Sequence, residues 1–221
     1  IIKFITHDGK HLMNDVEYIN KSIYLGKFQD LTNIDSTNNE TDDDVNYNYA
    51  ISGWFYLNPQ YNTEGYIPVF NYGEKPLIAY KGSDNTLKIT VADENNSNKE
   101  IIINDFKFQK WNNIVINCRS GQYIDVIINT KLVSTQKVVI SDKTVANVEV
   151  GHPDLEGAAC NIVYYNRTLP IWSIYTLYFI YSSMDPPYIN YSKSVEKEER
   201  HKNLNVKDFK SEHEKTDEKN K

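Results

Sequence analysis

The strongest constraint on the fold is a run of short β-patterned segments between residues 22 and 165, with no helical periodicity between them. Leu87-Lys88-Ile89-Thr90-Val91 alternates strictly, which predicts one buried and one wet face. Residues 51–57 differ: Ile51, Phe55 and Leu57 occupy one parity while Trp54 and Tyr56 occupy the other, so both faces are expected to be covered. Further strands are predicted over 67–72, 77–80, 101–108, 113–118, 123–128, 132–140, 145–150 and 160–165. Turn residues separate them, among them Asn58-Pro59, Gly73, Gly82-Ser83-Asp84-Asn85 and Ser120-Gly121. Strands recurring about every 8 to 12 residues imply an antiparallel sandwich or barrel and exclude a parallel α/β fold, which needs crossover helices.

The remainder of the chain is organised around this block. One short helix is predicted near 170–182, because Pro170 suits a first helical turn and Asp185-Pro186-Pro187 closes the segment. Residues 35–48 are polar and acidic and are expected in an exposed loop. From Lys193 the last 29 residues carry nine Lys/Arg and eight Asp/Glu with four apolar side chains, too few to fix the segment by burial. The expected organisation is a lead-in over 1–21, one domain over 22–187 and a charged, flexible tail over 188–221. Net charge is −6, and without residues 193–221 the body holds 15 basic and 22 acidic residues, so no basic footprint for nucleic acid exists. No apolar run reaches the roughly 18 residues of a membrane span. The chain opens on Ile1, not Met, read as a processed end or a chosen boundary, so membrane attachment is expected only through an anchor upstream. The 26 Asn, 24 Ile, 21 Lys and 17 Tyr against three Arg indicate an AT-rich genome, such as that of a protozoan or a large DNA virus.

Three stretches resemble a known family. Tyr49-Ala-Ile-Ser-Gly-Trp-Phe-Tyr-Leu57 is similar to an early "fSisfWvyl" strand. Trp111-Asn-Asn-Ile-Val-Ile-Asn117, followed by Tyr123-Ile-Asp-Val-Ile-Ile-Asn-Thr-Lys-Leu-Val133, is similar to "W.hvvi" followed by "v.vyiNGklv". Val148-Glu-Val-Gly151, Gly157 and Ile162-Val-Tyr-Tyr-Asn-Arg-Thr-Leu169, then Ile174 and Leu177-Tyr178, resemble "i.iG…G.i.nl.yynraLs…I..lY". In this order and spacing they resemble the LamG-like branch of the concanavalin A-like superfamily. The resemblance implies a two-sheet antiparallel jelly-roll β-sandwich with one short C-terminal helix. Thr130 departs from the family's Asn-Gly hairpin, which weakens the type I′ turn signal. Together with the residue bias, the match also resembles membrane-anchored or virion proteins of large DNA viruses.

Sites for chemistry are sparse. Some relatives of this fold are glycoside hydrolases, whose retaining members need two carboxylates about 5–5.5 Å apart. The nearest pattern here, Glu40-Thr-Asp42-Asp-Asp44, falls in the polar loop, and no catalytic residue is assigned. Asp42, Asp44 and Asn46 start like an EF-hand, but Tyr47 stands where Gly is needed and Gly53 where a bidentate Glu is needed. Calcium in another geometry stays open, and no cofactor or metal is assigned. His7 and His11 lack the Glu that a metalloprotease helix requires and are read as surface residues. Cys118 and Cys160 each share a parity with apolar residues, and are read as two buried free thiols or as a mutual disulfide. Sequons occur at Asn20, Asn39, Asn95, Asn166 and Asn190, a number this Asn-rich composition yields by chance.

The predicted helix is apolar nearly all round: Ile174, Leu177, Tyr178 and Tyr181 fit one face, leaving Trp172, Tyr175 and Phe179 as a candidate partner surface. The leading expectation is therefore a non-catalytic structural or interaction module, a virion protein with protein partners, on a capsid, a membrane or an extracellular face. The alternative is a glycan-binding lectin-like domain, for which Tyr61, Tyr66, Tyr72 and Tyr80 are platforms or simply sandwich surface. A glycoside hydrolase is the third reading.

Overall fold

The β-patterned segments pair into two antiparallel sheets packed face to face, a jelly-roll β-sandwich. The structure is a computed structural model that describes residues 9–32, 48–61, 64–93, 98–104, 106–139 and 146–188. In chain order its elements are β1 (Lys10–Met13), β2 (Glu17–Tyr18), β3 (Ile23–Lys27), α1 (Phe28–Thr32), β4 (Tyr49–Leu57), β5 (Ile67–Tyr72), β6 (Leu77–Lys81) and β7 (Thr86–Val91). They continue with β8 (Lys99–Ile103), β9 (Trp111–Arg119), β10 (Tyr123–Ile128), β11 (Lys131–Lys137), β12 (Asn147–Val150), β13 (Gly157–Tyr165) and α2 (Ile171–Ser182). The first sheet runs β1-β13-β4-β9-β10-β11 with β2 also on β13, and the second runs β3-β12-β5-β6-β7-β8. The acidic loop 35–48, except Asn48, lies outside the described residues, as do the tail from 189 onward and His7.

The core is the set of side chains on the inward parities of both sheets. Ile51, Phe55 and Leu57 of β4, Ile114 and Ile116 of β9, and Ile124 and Val126 of β10 face Ile78 and Tyr80 of β6 and Leu87, Ile89 and Val91 of β7. All are at most 4% exposed, and each such aliphatic side chain contributes roughly 1.5–3 kcal/mol by leaving water. Tyr72 and Tyr80 are fully buried here, so they are core residues and not sugar platforms. Tyr72 stands amid Phe28, Tyr49 and Tyr164 with ring centroids 4.7, 5.4 and 5.8 Å away. Offset and tilted aromatic pairs at this spacing add to the area term.

Three details depart from the sequence reading. β1 and β2 lie inside the expected lead-in, yet they pair with β13 and belong to the first sheet. The outer face of β7 is not open to water: Thr86 and Thr90 are buried, and Lys88 sits 4.3 Å over the Tyr66 ring and 2.8 Å from Glu100. Cross-strand polar pairs thus cover what alternation alone marks as wet.

The third departure is a β-bulge in β13, where Cys160 pairs with Trp54 and Val163 with Ser52, three residues spanning two. Asn161 takes φ 46° there. An extra residue shifts the parity of everything beyond it. Ile162 and Tyr164 therefore face the core with Ala159, while Cys160 and Val163 face outward with Trp54 and Ser52. The shared parity of Cys160 with Ile162 is thereby lost. Cys118 pairs with Tyr49 and points into the core, whereas Cys160 is five positions along β4 on the opposite face, roughly 16 Å away at strand rise. Both are buried free thiols, and the disulfide is excluded by geometry.

The β10–β11 hairpin turns through Asn129 at φ 48° and Thr130 at φ 69°, the two left-handed residues of a type I′ turn. Thr occupies the position that favours Gly, and its hydroxyl donates to the Asn129 carbonyl at 2.6 Å.

Candidate functional site

The outer face of the first sheet carries the most elaborate arrangement among the described residues. Outward residues of β4 and β9 include Ser52, Trp54 and Tyr56, and Trp111, Asn113 and Asn117. Helix α2 lies over this face, because Tyr178 stacks on Trp54 at 5.4 Å with planes 19° apart. Its buried side chains are Ser173, Ile174, Leu177 and Tyr181. Two amides anchor its ends. Asn117, 6% exposed, donates Nδ2 to the Leu169 carbonyl at 2.9 Å and accepts from the Leu169 N–H at 3.0 Å. At the exit, Asn161 Nδ2 and the Cys160 Sγ–H both donate to the Pro187 carbonyl. The bulge that turns Cys160 outward is thus also what holds the end of the helix.

Between α2 and the ends of β4 and β9 a cleft of about 360 Å³ remains. Trp54, Tyr56, Trp111 and Tyr178 form its aromatic wall, and Gln109, Lys110, Ser182 and Asp185 bring amide, ammonium, hydroxyl and carboxylate groups. Trp54 is 3% exposed and closed off by Tyr178, so it is a support. Tyr56 and Trp111 are half-buried, with centroids 5.7 Å apart and planes at 59°, and they make an open aromatic corner. Gln109 is held beside it at φ 54° by its N–H donating to the Leu57 carbonyl. Such a volume lies at the low end of ligand clefts, about 300–1,000 Å³. Apolar walls with a few polar groups suit an amphipathic ligand whose C–H face packs on a ring while its hydroxyls reach outward.

The outward ridge of α2 is open to solvent. Trp172, Tyr175 and Phe179 are exposed, at 60%, 43% and 66%, and Tyr175 and Phe179 stack at 6.5 Å. These three residues lie outside the cleft. Sequence reasoning missed the cleft because Tyr56 and Trp111 belong to strand motifs, and nothing local announces that their outward sides meet Tyr178 and Asp185 from a distant segment.

Other candidates fare less well. Glu40, Asp42, Asp44 and Asn46 lie outside the described residues, as do the sequons Asn39, Asn95 and Asn190. Asn20 and Asn166 are exposed. Among the described residues no group of three His, Cys, Asp or Glu side chains is placed to hold a metal ion. No described helix is long and apolar enough to cross a membrane. Burial pushes the Cys118 thiol up to about 11 and the Cys160 thiol up to about 12, so neither is an activated nucleophile. Burial, and then the adjacent Cys118 and Tyr164, likewise hold Tyr49 well above the usual phenol range.

No protein-family model matches this chain, and no curated protein does. Solved structures do resemble it. The receptor-binding domain of botulinum neurotoxin D is similar at 16% identity and TM-score 0.57, over 79% of this chain and 53% of that one. The serotype D ligand-binding domain in complex with N-acetylneuraminic acid is similar at 14% identity and TM-score 0.56, over 79% and 51%. The C/D mosaic receptor-binding domain with bound tetraethylene glycol is similar at 13% identity and TM-score 0.57, over 79% and 51%. This chain spans about half the length of those domains, and at such identities the likeness shows the β-sandwich fold alone.

Proposed function

We propose that this chain is a non-catalytic, glycan-binding β-sandwich module whose site is the cleft between β4, β9 and α2. The observation that carries the reading is the open corner of Tyr56 and Trp111 beside Gln109, Lys110, Ser182 and Asp185. A pyranose offers one apolar C–H face and a rim of hydroxyls, the two surfaces this corner complements. The structurally similar neurotoxin domains support it to the extent that their names describe receptor or ligand binding, one of them with N-acetylneuraminic acid bound. Among the described residues Asp185 is the only carboxylate lining the cleft, so they do not assemble the two-carboxylate arrangement of a glycosidase there.

Tryptophan fluorescence titration against a panel of neutral and sialylated oligosaccharides tests the proposal. Saturable binding at millimolar concentration or better is expected, weakened at least tenfold by Trp111→Ala with an unchanged melting temperature. Absence of binding across the panel, or equal binding by Trp111→Ala, overturns it.

The second reading is an interaction module within a particle, of LamG-like kinship and viral source. It rests on the three sequence motifs and on the exposed ridge of Trp172, Tyr175 and Phe179, whose large rings suit the centre of a protein interface. It predicts that Trp172→Ala with Phe179→Ala abolishes assembly on the particle while the isolated domain keeps its melting temperature. A folded double variant that still assembles removes this reading.

A further inference from the structure

Apart from Ile171 on α2, the exposed aliphatic side chains among the described residues are Ile102, Leu132, Val133 and Val139. Ile102 belongs to β8, the edge of the second sheet, and Leu132 and Val133 to β11, the edge of the first. Val139 follows β11, and its N–H donates to Asp93, just beyond β7. Among the described residues of the two sheets and their connections, exposed branched aliphatic side chains are therefore collected at one pair of edges.

A groove of about 310 Å³ lies between these edges. Ile103, Phe106 and Ile128 are buried along it, and Lys107, Lys131, Leu132 and Val133 stand exposed. The two amides that also line it are already engaged. Asn112 donates to the Lys107 and Lys110 carbonyls and accepts from Asn129, whose own Oδ1 accepts from the Asn113 N–H. Among the described residues, what the groove offers a ligand is apolar surface and ammonium groups, and no described Asp or Glu lines it. Lys137 adds a third cation at the far end of β11, and none of these lysines is in an ion pair among the described residues.

A second copy fits this edge poorly. Two β11 strands laid antiparallel and centred on Ser134 would set Lys131 against Lys137. The ladder is already interrupted at Val133, since Val126 pairs with Ser134 and Ile127 with Leu132. Lysines and a bulge are how edge strands resist self-pairing. The same lysines favour a partner that brings carboxylates.

We infer that the β8–β11 groove binds an extended acidic-hydrophobic peptide segment of another protein. Its apolar side chains would pack on Phe106, Leu132 and Val133, its carboxylates would meet Lys107 and Lys131, and its backbone would lie along an open strand edge. The body of the chain is acidic, so attraction is confined to this edge and salt weakens it.

Fluorescence anisotropy on the full chain, with a labelled heptapeptide of leucines between aspartates, tests this. Saturable binding is expected, lost at about 0.5 M salt where screening reaches a few ångströms. Lys107→Glu with Lys131→Glu should weaken it at least tenfold; both side chains are exposed, so the variant is expected to fold. The same variant should bind a peptide with lysines in place of the aspartates. No saturable binding of the aspartate peptide overturns the inference, as does binding that the charge reversal leaves unchanged, or sedimentation showing that the groove is filled by a second copy. Glycan titration of the variant separates the two proposals, because the aromatic cleft is untouched by these substitutions.

Discussion

Replacing Asn117 by Ala should cost about 2–4 kcal/mol of folding stability, and the reasoning is local. The amide is 6% exposed and satisfies two backbone groups of one residue, the Leu169 N–H and carbonyl. Leu169 is itself 4% exposed, so water does not replace the lost partners without rearrangement. A net hydrogen bond is worth about 1 kcal/mol, but stranding a buried polar group costs about 1–3 kcal/mol. Two stranded groups give the range stated, with some relief where the chain moves. Equilibrium urea unfolding is the assay: at a slope of about 2 kcal/mol per molar, the midpoint should fall by about 1–2 M with the slope unchanged. Hydrogen exchange should show the amides of α2 opening first, because the pair anchors the entrance to that helix. Asn117→Asp keeps the acceptor and loses the donor, and it should be no better than Ala because it buries a charge. A loss below about 0.5 kcal/mol for Asn117→Ala would refute the argument and show that Leu169 finds other partners.

Two further outcomes follow from backbone strain and buried acids. Thr130→Gly should raise stability by about 0.5–1 kcal/mol, since a β-branched residue in the left-handed region costs about 1–2 kcal/mol and the added freedom of the unfolded chain returns part of it; a lower melting temperature would contradict the turn assignment. The thiols of Cys118 and Cys160 should resist a disulfide reagent at pH 8 in the folded protein and react on denaturation. Their raised values mean that the folded chain keeps protons which the unfolded chain releases above the ordinary 9.0, so stability is whole below about pH 9 and falls between there and about 11 for Cys118 or 12 for Cys160. The slope is about 1.4 kcal/mol per pH unit for each thiol, and a flat profile between pH 9 and 11 would refute the burial.

The strands with strong apolar patterns are legible in the sequence almost to the residue: β5 and β10 match the predicted 67–72 and 123–128. β1 and β2 are not, because Lys-His-Leu-Met and Glu-Tyr carry no alternation and become strands only by pairing with β13. α1 has five residues, too short for periodicity to speak. The misplaced Cys160 shows the limit of parity arguments: a period of two holds only until a bulge, and nothing in Cys160-Asn161-Ile162 marks one except an Asn suited to positive φ. The ridge of α2 was legible because no charged residue occurs in the helix, so some ring had to remain outside. The cleft was not, because its polar members come from two distant places, Gln109 and Lys110 just before β9 and Ser182 and Asp185 at and after the end of α2, and its aromatic corner from two strands 55 residues apart in sequence at Tyr56 and Trp111.

The bulge in β13 makes the number of residues in that strand a fixed quantity. If the bulge were flattened with all nine residues kept in the ladder, the rows would exchange: Ile162 and Tyr164 would turn to the helix side, and Val163 and Tyr165 into the core. Asn161, tied by its backbone N–H to Asn14 and by its side chain to Pro187, would leave both segments unfastened. As the chain diverges, insertions can collect in its turns, but the count from Gly157 to Tyr165 should stay constant even where the side chains change. For anyone grafting new loops onto this scaffold, that nine-residue strand is the part to carry over whole.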